Sequence, residues 1–132
     1  MEFICACASD DGENFVERHF GEARYYFVYK VSDEGFDYIK KISNISVEEK
    51  THADPIKAKS VSSILKRGNV QVVITRRFGP NVKRVKIHFV PVIIKNGIIE
   101  DGLKIISKNL DQVKNQWLKE GNQRKALVFK IN

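Results

Sequence analysis

The 132-residue sequence predicts a three-layer α/β fold with a mixed sheet, a hairpin near the N-terminus and helices on both faces. Three observations carry that expectation. Short apolar runs at 2–8, 70–75 and 90–94 read as buried strands. Segments 24–31 and 36–42 are rich in aromatic and β-branched residues and flank the turn formers Ser32-Asp33-Glu34-Gly35. Between these strands, apolar residues recur at helical spacing, and strands alternating with helices give parallel sheets with right-handed crossovers.

The first strand is expected over 2–8, ended by Ser9-Asp10-Asp11-Gly12. A hairpin follows, and the polar stretch 44–53 reads as a loop. Asp54-Pro55 then offers an N-cap and a first-turn proline. Ile56, Val61, Ile64 and Leu65 share one face of the ensuing helix, which Gly68 should stop. After the strand at 70–75, Gly79-Pro80 starts a short helix with Val82 and Val85 inward. From Ile99 a stripe through Leu103, Ile106, Leu110, Val113 and Trp117 predicts one long helix ended by Gly121-Asn122. Residues 126–131 should form a last edge strand, or a tail that pairs with a partner.

A chain of this length fits one domain, 1–132, able to bury roughly two thirds of its unfolded surface. No internal repeat, low-complexity segment or linker interrupts it. The 23 Lys and Arg against 16 Asp and Glu give a net charge of +7, which favours an anionic partner. With no leader-like segment and no apolar stretch approaching ~18 residues, a cytoplasmic location is expected.

Cys5 and Cys7 lie two apart in an apolar run, so on a strand both thiols share a face. They read either as two small buried hydrophobes or as two thiolates, short of the four that iron–sulfur clusters usually take.

Ligands of open α/β sheets bind outside the carboxyl ends of the strands. Two such ends carry unusual sequence: Ser9-Asp10-Asp11-Gly12, and Thr75-Arg76-Arg77-Phe78-Gly79-Pro80-Asn81. A helix start with two arginines before it suits an anion. Alternatively, Arg76 and Arg77 neutralise Asp10 and Asp11 across the crevice.

The order of these elements resembles the dinitrogenase iron-molybdenum cofactor biosynthesis family over about residues 3–110. Carrying the resemblance are the first strand running into Ser9-Asp10-Asp11-Gly12, then His19-Phe20-Gly21, then the aromatic strand Tyr25-Tyr26-Phe27-Val28-Tyr29. A loop histidine, His52, a helix closing on Leu65 to Gly68, and the strand-to-Gly79 step continue it. The resemblance implies a ribonuclease-H-like fold and a non-catalytic carrier of an iron–sulfur or iron-molybdenum cofactor precursor. By carry-over His19 touches the cluster, with His52 a looser second match, and these two are the expected metal ligands; with the charge reading of the strand ends, the expected cofactor-binding residues are Ser9, Asp10, His19, Phe20, Gly21, Arg76, Arg77 and Gly79. Metallocluster donor or acceptor proteins are the implied partners, with a second copy joining through the terminal strand. The chain departs from the family in having Arg76-Arg77-Phe78 where several glycines are common, and cysteines where small or aliphatic residues are usual.

A different class of function, nucleic-acid binding without nuclease activity, rests on the basic stretch Arg76, Arg77, Lys83, Arg84 and Lys86 beside an aromatic hairpin. Two-metal phosphoryl chemistry lacks support, because the strand end beside Asp10 and Asp11 offers Thr75-Arg76 and no acid. A third class is an interaction module working through the terminal strand alone.

Overall fold

A computed structural model describes residues 1–44 and 55–132, with the backbone alone for 55–60. The strands are β1 (Glu2–Ser9), β2 (Tyr25–Ser32), β3 (Gly35–Ser43), β4 (Val72–Thr75), β5 (Val90–Ile94) and β6 (Leu127–Phe129). The helices are α1 (Pro55–Arg67), α2 (Val82–His88), α3 (Ile99–Ser107) and α4 (Leu110–Trp117), with 3-10 turns at Phe20–Glu22 and Gly121–Gln123. One sheet holds the strands in the order β3-β2-β1-β4-β5-β6. β2 runs antiparallel to β1 and β3, whereas β1, β4, β5 and β6 are mutually parallel. The expected mixed sheet and its hairpin are therefore present.

Alternation along β1 sorts the interior into two cores. Phe3, Cys5 and Cys7 face one way and pack with Ile74, Val92 and Ile94 under Leu103 and Ile106 of α3 and Leu110 and Val113 of α4. Ala6 and Ala8 face the other way, toward Val61 and Leu65 of α1 and Val85 of α2. Helices thus cover both faces. Each fully buried aliphatic side chain contributes about 1.5–3 kcal/mol. Cys5 and Cys7 are both completely buried, and burial pushes their thiols up, so they stay protonated. They are core residues.

Four boundaries differ from the sequence reading. The stripe from Ile99 is split: α3 stops at Ser107 and α4 begins at Leu110. Asn109 leaves helical geometry (φ −129°, ψ 32°), donates from Nδ2 to the Ile105 carbonyl at 2.7 Å and accepts from Gln112 at 3.0 Å. Such local side-chain bonds compete with the helix. The apolar stripe survives the break, so both helices still serve one core. α4 also ends at Trp117, four residues before Gly121.

At the end of α1 the left-handed residue is Asn69 (φ 60°), one position after Gly68. Val70 N–H donates to the Leu65 carbonyl at 3.2 Å and Asn69 N–H to that of Lys66 at 3.0 Å. This pair of bonds is a Schellman closure. The strand that follows begins only at Val72, where the Gln71 side-chain carbonyl takes the Ile4 N–H at 2.9 Å in place of a backbone partner. The expectations for Asp54, His52 and the loop at 45–53 lie outside the described residues.

Candidate functional site

The parallel strands β1, β4 and β5 deliver three loops to one end of the sheet: 10–24, 76–81 and 95–98. Hydrogen bonds tie them together. Ile99 N–H donates to the Glu13 carbonyl at 2.9 Å, and Phe20 N–H to the Arg77 carbonyl at 2.9 Å. The Arg76 guanidinium reaches the carbonyls of Lys95 at 3.3 Å and Gly97 at 2.8 Å.

His19, Phe20 and Gly21 sit where the first loop crosses onto the second. Phe20 is an anchor: its ring lies 5.0 Å from Tyr26 and 5.3 Å from Phe78. The Tyr26 hydroxyl donates to the Phe20 carbonyl at 2.9 Å. Asn44, at the end of β3, donates to the carbonyls of Gly21 at 2.9 Å and Ala23 at 2.8 Å. With its neighbour so held, the His19 ring lies against Gly79, where an added Cβ would stand 2.5 Å from Nδ1. Glu22 completes the setting: its carboxylate lies 3.5 Å from His19 Nδ1 and accepts the His19 backbone N–H at 3.2 Å. A carboxylate beside an imidazole fixes ring orientation, the arrangement usual behind metal-binding histidines.

The structure therefore brings His19, Phe20, Gly21, Arg77 and Gly79 together. Ser9, Asp10 and Arg76 do other work. Ser9 is completely buried, and its hydroxyl bonds the Asn14 carbonyl and accepts from Gly12 N–H at 2.9 Å. Asp10 pairs with Arg18 at 2.7 Å and accepts the Arg24 N–H at 2.9 Å. Partial burial would raise its pKa, but Arg18 and the Arg24 N–H outweigh that and hold it below the usual carboxylate range. Arg18 is thus the partner of Asp10, in place of the pairing with Arg76 or Arg77 across the crevice. Arg76 spends two of its donors on loop carbonyls, while Arg77 remains exposed.

At the start of α2, where the sequence suggests an anion site, several backbone donors are absent or already used. Pro80 has no N–H, and Val82 N–H already donates to the Gly79 carbonyl at 3.1 Å. The N–H groups of Arg84 and Val85 both point to Asn81. Beneath this loop the Thr75 hydroxyl, fully buried, has no hydrogen-bond partner among the described residues. His88 is half-buried beside Phe89, and burial, with Lys66 and Arg124 nearby, lowers its pKa.

The combination of a basic stretch with aromatic stacking is also broken by the fold. Tyr25, Phe27 and Tyr29 alternate onto the α3 face of the sheet, where Tyr29 and Phe36 join the core below α3. Lys83, Arg84 and Lys86 belong to α2, on the other face. The cations of α2 and the aromatic row are thus set on opposite faces of the sheet.

Glu22, Asn44, Arg18 and Thr75 were not singled out from sequence. Only Glu22 carried a signal, three residues beyond His19 with the spacing of a capping box. Asn44 acts across 21 and 23 residues on a loop whose path the sequence does not give.

Among the described residues no three His, Cys, Asp or Glu side chains converge on one metal-sized point. No described helix is long and apolar enough to cross a membrane.

Comparison with protein families matches residues 1–109 to the model described as dinitrogenase iron-molybdenum cofactor. Among solved structures, one from Methanocaldococcus jannaschii, described provisionally as a dinitrogenase, superposes with a TM-score of 0.60 at 15% identity. The match covers 83% of this chain and 91% of that one. At that identity it speaks for the fold alone. Comparison with curated proteins gives no match.

Proposed function

Because the chain belongs to the dinitrogenase iron-molybdenum cofactor family over residues 1–109, we propose that it binds and carries an iron–sulfur or iron-molybdenum cofactor precursor without catalysing a reaction. Membership ties the chain to metallocluster biosynthesis. The observation that carries the finer reading is His19, set between Gly79 and the Glu22 carboxylate at the carboxyl end of the sheet. An imidazole so oriented supplies one bond to iron, and the exposed Arg77 beside it faces an anionic cargo.

A single protein ligand suits a cargo that is handed on. The cluster brings its own sulfides, and exchange to an acceptor protein then breaks one protein bond instead of four. We read the sheet as ribonuclease-H-like, on the grounds of an antiparallel meander leading into parallel strands with helices on both faces. The work would be done in the cytoplasm with cluster donor and acceptor proteins.

The test is iron content and the visible spectrum of protein purified without oxygen, before and after mixing with a cluster donor, for wild type and His19→Ala. Iron uptake with charge-transfer absorbance, severalfold lower in His19→Ala, is the expected result. Failure of both proteins to take up iron would sink the reading.

A further inference from the structure

On the α3 face, away from the Phe20 core, lies a cleft of about 250 Å³ between the loop after β1, the hairpin and the start of α3. Its walls are Tyr29, Phe36, Ile99 and Leu103, and the charged residues lining it, among those described, are Glu13 and Glu100. We propose that this cleft is a docking site for a basic side chain, arginine above all, presented by a protein partner.

Three properties select that occupant. The first is size: small-molecule pockets run to roughly 300–1,000 Å³, so this cleft suits one side chain better than a whole ligand. The second is its aromatic wall. Tyr29 stands edge-on to Phe36 at 6.1 Å and to Tyr38 at 5.5 Å, and such rings attract a cation over their faces.

Charge is the third. In a chain of net charge +7 this is a locally acidic place. Lys104 does meet Glu100 at 3.3 Å, but both side chains are 59% exposed, and pairs of that kind contribute little and exchange readily. The positive end of α3, worth roughly half a unit charge, is answered within its own first turn by Glu100 and Asp101. Its first donors are also used: Ile98 N–H goes to Asp101 at 3.0 Å and Ile99 N–H to the Glu13 carbonyl. An anion finds no open donor in that pair.

The test titrates isotope-labelled protein with N-acetyl-arginine methylamide, and in parallel with the uncharged citrulline analogue, following Tyr29, Phe36, Ile99 and Leu103 by NMR. Saturable shifts with arginine alone, weakened roughly threefold or more by Glu13→Gln with Glu100→Gln, support the site. Both replaced residues are exposed, and a wild-type spectrum elsewhere confirms the fold. Equal shifts with citrulline, arginine shifts indifferent to the double substitution, or no shifts at all would each overturn it. Because no metal enters the experiment, its outcome is independent of cluster carriage.

Discussion

Gly79 owes its place to a neighbour's ring. An added methyl would stand 2.5 Å from His19 Nδ1, and the far end of a side chain gives way more cheaply than backbone. Gly79→Ala is therefore expected to displace the imidazole while changing stability by less than about 1 kcal/mol. The readout is paired: urea unfolding for stability, and cluster uptake with the His19 ring resonances for the site. Uptake and ring signals like those of wild type would remove Gly79 from the site. A larger group of residues acts through position alone. Tyr26 and Asn44 never face the crevice mouth, yet their bonds to Phe20, Gly21 and Ala23 hold His19 in place. The His-Phe-Gly motif was readable in sequence; its Asn44 support was not, because nothing local marks a residue that acts two strands away.

At the scale of the element, the loop after β1 is organised by a carboxylate. Asp11 accepts N–H bonds from Asn14 and Glu13, each at 2.8 Å, and a side-chain bond from Asn14 at 3.0 Å. Led by the Asn14 N–H, these donors hold Asp11 far below the usual carboxylate range. A carboxylate depressed in the folded state stabilises it above the unfolded value, near 3.9, and that contribution fades as pH falls through the folded value. Urea midpoints should decline below about pH 4, and the acid limb should be shallower in Asp11→Asn. His88 adds a separate decline: its pKa is lowered from 6.5, so the protonated unfolded state gains as pH drops below that value. The comparison of Asp11→Asn with wild type therefore uses only the limb below about pH 4. An acid limb of unchanged steepness in the variant would show that the loop does not depend on this charge. The helix stripe from Ile99 to Val113 illustrates the complementary point. Its apolar spacing identified the buried face correctly, but the break at Asn109 left no mark in that spacing, since the side-chain bonds that open the helix bury nothing.

Across the whole molecule, residues beyond the family match complete the sheet. β6 adds a parallel strand beside β5, with Leu127 and Phe129 packed against the α3–α4 core. Arg124, largely buried, fastens this segment: its guanidinium donates to the carbonyls of Gln116, Trp117, Lys86 and Ile87 and lies 4.8 Å over the Trp117 ring. Arg124→Lys loses the planar fork and should cost about 2–3 kcal/mol by urea unfolding. Ending the chain after Glu120 should be more damaging, because Ile94 and Val92 lose cover. A truncated chain of wild-type stability that differed only in oligomeric state would restore the view of residues 126–131 as a tail for partners. Periodicity and turn chemistry are local properties of the chain, and they sufficed for the α/β class, nearly every strand, the buried run holding both cysteines and the His-Phe-Gly motif. It took the folded structure to show that Asp10 pairs with Arg18, that Arg76 is spent on loop carbonyls, and that the cations of α2 lie on the opposite face of the sheet from the aromatic row. Those outcomes depend on where distant loops meet, and pairing across a sheet is set by burial on both of its faces at once.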